Sequence, residues 1–190
     1  SGVAGNAQAT VSWTAPVDDG GSAVTSYTAT ASPGGATCTT PSTSCVVTGL
    51  TNGTVYTFTV IATNAAGDSN ASSASSSVTP YTVPGIPTSV SGSAGDAQVS
   101  VSWTAPVDDG GSSVTSYTAT ASPGGATCTT ASTSCVVTGL VNETAYTFTV
   151  VATNTAGDSD ASSASSSLTP ADVWLPSGPR SVSGLHGDEL

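Results

Sequence analysis

Two adjacent carboxylates, Asp18 and Asp19, stand directly before Gly20-Gly21, and the same four residues recur as Asp108-Asp109-Gly110-Gly111. Paired carboxylates in a loop could hold calcium through their oxygens or serve as the acid and nucleophile of a glycosidase. Neighbouring side chains of one turn rarely aim at a single point, however. Asp before Gly is also turn chemistry in its own right, because the carboxylate bonds nearby backbone and Gly accepts positive φ. A turn is therefore the expected role, with Asp18, Asp19, Asp108 and Asp109 kept as weak calcium candidates. Cys38 and Cys45, like Cys128 and Cys135, enclose six residues. Opposed Cα atoms on neighbouring antiparallel strands lie about 4.5–5.5 Å apart, which a disulfide spans, so Cys38 is expected to pair with Cys45 and Cys128 with Cys135, each clamping one hairpin. Zinc would need two further ligands, and none lies close in sequence.

Three triplets, starting at Asn52, Asn70 and Asn142, fit the N-glycosylation acceptor pattern. Such triplets also arise by chance in a chain this rich in Ser and Thr. The rows Thr57, Thr59, Thr63 and Thr147, Thr149, Thr153 could face ice or glycan, yet a solvated strand has the same outer face.

The rest of the composition removes most chemistry. The chain has 190 residues, 12 acidic side chains and one basic one, Arg180, for a net charge of −11. Nucleic acid and anionic membrane surfaces are excluded as partners because both are held by Lys and Arg clusters. Without Lys there is no Schiff base, no P-loop phosphate grip and no Lys to Asn isopeptide. The single His is His186. No cofactor is expected, and an enzyme is disfavoured on composition alone. Apolar runs are too short for a membrane span, so no membrane insertion is expected.

Residues 1–80 and 91–170 align without a gap at a period of 90, and 67 of the 80 paired positions are identical. A period this long suits a self-contained domain with its own core. Leu175-Pro-Ser-Gly-Pro-Arg-Ser-Val-Ser-Gly184 repeats the pattern of Val83-Pro-Gly-Ile-Pro-Thr-Ser-Val-Ser-Gly92 at an offset of 92. The expected organisation is repeat one over 1–80 with its opening strand missing, repeat two over 81–172, and a connector with the first strand of a truncated third repeat over 173–190.

Inside each repeat the apolar period is two, the mark of half-buried strands. Ala9, Val11 and Trp13 alternate with polar residues, then Tyr27, Ala29 and Ala31, then Tyr56, Phe58, Val60 and Ala62. Short strands are expected around Cys38 and Cys45, and Ser72 to Val78 reads as a weak edge strand. Turn residues separate these runs, and no helical periodicity with caps is present. The fold class is all-β: two tandem seven-stranded antiparallel β-sandwiches.

The set Trp13, Tyr27, Leu50, Tyr56 and Ala62-Thr-Asn-Ala-Ala-Gly67, with its copy Trp103, Tyr117, Leu140, Tyr146 and Ala152 to Gly157, resembles the fibronectin type III pattern over essentially the whole chain. Ser-Pro-Gly-Gly-Ala-Thr-Cys, with a second Cys seven residues on, resembles the variety in secreted or surface bacterial proteins. The resemblance implies an immunoglobulin-like sandwich and is silent about any site grafted on it.

Trp13 and Trp103 are expected in the cores. Trp174 falls in the second connector, where a large apolar side chain either stiffens the joint or meets another chain. The expected function is a non-catalytic extracellular or cell-surface spacer, a building block of an array or fibre whose partners are adjacent repeats or copies of itself. Head-to-tail assembly by strand complementation is part of that expectation, with Trp174, Val182 and Leu185 as contacts. The alternative is an adhesive or glycan-binding accessory module of a surface protein or hydrolase, with a glycan or surface protein as partner.

Overall fold

A computed structural model describes residues 1–172, so Trp174, Val182, Leu185 and the third-repeat segment lie outside the described residues. The first repeat contains β1 (Gly2–Gly5), β2 (Gln8–Ser12), β3 (Ser26–Ser32), β4 (Thr37–Thr40), β5 (Ser44–Thr48), β6 (Thr57–Asn64) and β7 (Gly67–Asp68). The second repeats the series as β8 (Thr88–Gly95), β9 (Gln98–Thr104), β10 (Ser116–Ser122), β11 (Thr127–Thr130), β12 (Ser134–Thr138), β13 (Thr147–Asn154) and β14 (Gly157–Asp158). Each repeat is an all-antiparallel sandwich of a three-stranded and a four-stranded sheet. The orders are β1-β2-β5 over β4-β3-β6-β7, and β12-β9-β8 over β11-β10-β13-β14. No helix occurs among the described residues.

The alternation read from sequence decides what each strand buries. In β2, Ala9 and Val11 point inward; in β3, Tyr27, Ala29 and Ala31 do so while the intervening Ser and Thr face out. Alanine at two of three inward positions of β3 leaves room for Phe58 and Val47, among the largest fully or nearly fully buried side chains of that core. Close packing of this kind depends on matching large residues with small ones across the sandwich. Tyr56 is buried as a ring, yet its hydroxyl accepts the Thr51 N–H at 3.0 Å, and Tyr146 does the same for Val141 at 3.1 Å. The rings therefore lie in the core without leaving the hydroxyls unsatisfied.

Three expectations change. The opening strand of repeat one is present, as the four-residue β1 registered Gly2 to Val11 through Gly5 to Gln8. It is shorter than β8, which begins at Thr88 and, after a bulge, pairs with β9 as far as Thr104. Cys38 bonds to Cys45 and Cys128 to Cys135, each with Cα atoms 6.2 Å apart. The bonded strands belong to opposite sheets, however: β4 lies in the four-stranded sheet and β5 in the three-stranded one. Each disulfide therefore staples a crossover between sheets and not a hairpin.

The third change concerns the Ser-rich run after β7. It is not a weak period-two strand but follows β6 with a period of three. The N–H groups of Ser69, Ser72 and Ser75 donate to the carbonyls of Ala62, Val60 and Phe58. In return, the N–H groups of Ala62, Val60 and Phe58 donate to the hydroxyl oxygens of the same serines at 3.0, 3.0 and 3.1 Å. Three residues thus advance against two, and a side-chain oxygen stands in where a ladder would use a carbonyl. Each hydroxyl donates in turn to the carbonyl of the next residue, which occupies acceptors that an open edge would otherwise present. Ser159, Ser162 and Ser165 repeat the arrangement on β13.

Candidate functional site

The most heavily built polar site lies where the connector of residues 81–87 meets the Asp-Gly loop of the second repeat. Asp108 and Asp109 each accept, through one carboxylate oxygen, the N–H two residues on, at Gly110 and Gly111, both at 2.8 Å. These turns fix the loop so that its carbonyls face the connector. The Thr82 N–H donates to the Gly110 carbonyl at 2.8 Å, and the Gly85 N–H to the Asp108 carbonyl at 2.9 Å. Gly110 and Gly111 have φ of 75° and 82°. A Cβ on Gly110 would collide with the Thr82 and Val83 carbonyl oxygens, and one on Gly111 with the backbone nitrogen of Gly53 in the first repeat. Both positions need glycine twice over, for the turn and for the close approach.

Asn154, at the end of β13, locks this junction. Its side-chain amide nitrogen donates to Thr82 O at 2.8 Å, Asp109 O at 2.8 Å and Ser112 O at 3.2 Å, and its side chain is buried. One residue of the second repeat therefore holds both its own loop and the connector. In the first repeat the equivalent Asn64 reaches only Asp19 O and Ser22 O, and the Asp18–Gly21 loop is largely exposed. Sequence reading took this loop for a turn and passed over Asn64 and Asn154; the only signal was an Asn ending the longest strand next to a Gly turn.

The structure spends the other candidates locally. Asp18 and Asp19 accept from Gly20 and Gly21, as their copies do in the second repeat. Among the described residues no three His, Cys, Asp or Glu side chains cluster as metal ligands would. Asn52 accepts the Ala7 N–H and donates to Asn6, which joins two loops of the first repeat. Asn142 accepts from Ala97 and donates to Asp96 and Asp172. At both, a glycan on the amide nitrogen would compete with these bonds, whereas Asn70 is exposed on the Ser-rich run. Thr28 and Thr39 on the outer face bond to each other at 3.0 Å, which is ordinary cross-strand pairing.

The two repeats differ at one further place. Trp103, Val150 and Ala152 are 6%, 0% and 0% exposed, and Ser159, Ser162 and Ser165 are also buried. Their identical counterparts Trp13, Val60, Ala62, Ser69, Ser72 and Ser75 are half-buried or exposed. In the second repeat, Val90 packs on the core and Pro87 is fully buried. In the first, a groove of about 530 Å³ is lined by Ser1, Val11, Trp13, Phe58, Val60 and Ser72, among others.

A family model described as "Fibronectin type III domain" matches residues 1–79 and 85–168. Exoglucanase B of Cellulomonas fimi is 36% identical over 175 residues, covering 89% of this chain and 16% of that protein. Chitinase A1 of Niallia circulans is 38% identical over 143 residues, covering 70% of this chain and 20% of that protein. The chain thus spans a fifth or less of the length of these relatives. Among solved structures, domains A168-A170 from titin superpose with a TM-score of 0.53 at 23% identity, covering 86% of this chain and 54% of that one, a likeness of fold alone.

Proposed function

The chain belongs to the fibronectin type III family, and from that premise we propose that it is a non-catalytic extracellular spacer that holds neighbouring domains at a set distance. The observation that carries this reading is the junction at Thr82, Gly110 and Asn154. Most of the polar groups invested in that site are backbone amides and carbonyls turned toward another part of the same chain, and none is left poised for a small-molecule substrate. Glycines packed against backbone and a buried Asn restrict the hinge between repeats, and Pro84 and Pro87 remove further freedom from the connector.

The setting follows from the disulfides and the relatives. Cys38–Cys45 and Cys128–Cys135 favour an oxidising compartment. The relatives are by name two-polymer enzymes, an exoglucanase and a chitinase, whose substrates are too large to enter a cell. We place the chain in such a protein or in a surface array, as an accessory module whose partners are adjacent repeats or further copies of itself. The exposed aromatic cluster that a glycan-binding module would use finds little support. Trp103, Tyr27, Tyr56, Tyr117, Tyr146, Phe58 and Phe148 are all buried.

The test is small-angle scattering on the intact chain together with cellulose and chitin pull-down. A spacer gives a single extended shape and stays in the supernatant. Retention on either polymer, or a scattering curve that requires a broad ensemble of inter-repeat angles, would contradict it.

A further inference from the structure

Building on the spacer reading, we propose that the groove of the first repeat beside Trp13, Val60 and Ser72 is a strand-acceptor site, and that its occupant is residues 174–183 of a second copy of this chain. The molecule contains its own control. The second repeat has the same groove side chains, and there the segment from Thr82 to Val90 accompanies their burial: Trp103, Val150, Ala152 and Ser162 fall to 6% exposure or less. In the first repeat the same residue types remain partly open. The difference is therefore in what covers the groove and not in what lines it.

The covering segment shows what the groove selects. Pro84 and Pro87 are buried and Val90 packs on the core, whereas Val83, Ile86 and Thr88 are exposed. Residues 175–184 carry the same segment a second time at an offset of 92. Pro176, Pro179 and Val182 fall at the three inward positions. The changes fall mainly at outward ones, where Val83 becomes Leu175, Ile86 becomes Gly178 and Thr88 becomes Arg180. At Gly85 the tail has Ser177, and a Cβ built there lies 3.4 Å from the nearest atom, Asp108 O, an ordinary contact. The tail thus keeps what the groove buries and varies what solvent sees.

Polar and charged groups agree. In the second repeat the carbonyls of Asp108 and Gly110 accept from the segment, and Asn154 donates to it. Asp18, Gly20 and Asn64 offer the same groups on the exposed rim of the first repeat. Arg180 is the one basic side chain of a chain with net charge −11, and it falls in the segment that would dock beside Asp18, Asp19 and Asp68. Between Pro170 and Pro176 there are two more residues than between Pro80 and Pro84, which gives the docking segment slack to pass Glu143, the counterpart of Gly53. A tail on one copy and a groove on the next make a heterologous contact, which extends head to tail.

Two measurements on the full chain test this. Light scattering should show a weight-average mass that grows with concentration in the native chain and stays at one copy in Val182→Asp, whose change falls in the tail and leaves both sandwich cores intact. A synthetic peptide of residues 174–184, titrated into the Val182→Asp chain, should shift the Trp13 indole and Val60 amide resonances while leaving those of Trp103 and Val150 in place. A native chain that remains monomeric to millimolar concentration, a peptide that shifts neither set, or one that shifts both alike, would overturn the proposal. A monomeric chain whose repeats still tumble as one body would remove the acceptor site and leave the spacer reading standing; independent tumbling with intact self-association would do the reverse.

Discussion

Asn154 donates its side-chain amide to the carbonyl of Thr82, 72 positions earlier, and so ties the last long strand of the second repeat to the connector that leads into it. The bond is buried, and Asn154 simultaneously holds the carbonyls of Asp109 and Ser112. Asn154→Ala would strip three buried or half-buried carbonyls of a donor, and leaving such groups unsatisfied costs about 1–3 kcal/mol. The expected result is a lower melting temperature for the second repeat and a broader range of inter-repeat angles in scattering. Asn64→Ala, which touches no connector, should leave the angle distribution unchanged.

Gly20 and Gly110 both have positive φ, 70° and 75°, so alanine at either meets the same local strain. Only at Gly110 does the added Cβ also run into the connector backbone. Gly110→Ala should therefore destabilise more than Gly20→Ala in denaturant unfolding, and the difference between the two reads the junction itself.

Ser162 accepts the Val150 N–H at 2.9 Å and is 6% exposed, while the next residue, Ser163, faces solvent. Ser162→Ala should cost about 1–3 kcal/mol and speed hydrogen exchange at the Val150 amide. Ser163→Ala should change neither.

Each disulfide closes a short loop between the two sheets, for which chain-entropy arguments give about 2–3 kcal/mol. Reduction is expected to lower the melting temperature while far-ultraviolet circular dichroism at room temperature stays that of a β-sandwich. Loss of the β signal on adding reductant would show that the cores depend on the staples.

Burial pushes the Tyr117 hydroxyl above the ordinary tyrosine value of 10.0. The folded state then keeps its proton at pH values where the unfolded chain has lost it. This contribution to stability is complete below about pH 10 and is lost as pH rises through the folded value. Ultraviolet titration should show Tyr117 ionising last or only on unfolding, and Tyr117→Phe should flatten the alkaline fall in stability.

What could be read beforehand divides along physical lines. Trp13, Tyr27, Phe58 and their copies announce a sandwich because period two is a property of each strand by itself. The Ser69, Ser72, Ser75 ladder was illegible because its period of three emerges only when hydroxyls replace carbonyls against β6, and a Ser-Ala run otherwise reads as plain polar strand. The spacing from Cys38 to Cys45 told which residues bond, yet seven residues serve a hairpin and a crossover equally well. Asp108 and Asp109 were legible as turn formers, whereas the purpose of the turn was not, since it depends on Thr82 and Asn154 meeting across the fold. Identical sequence in the two repeats also hid their difference, because the exposure of Trp13 against the burial of Trp103 depends on a covering segment and not on the tryptophan.

The central claim is that the connector, the Asp108–Gly111 loop and Asn154 make the two repeats one stiff unit. Residual dipolar couplings measured on the intact chain in weak alignment test it most directly. The account predicts that couplings from 1–80 and from 91–170 fit a single alignment tensor, and that Asn154→Ala splits them into two of different magnitude. Two different tensors in the native chain would contradict it.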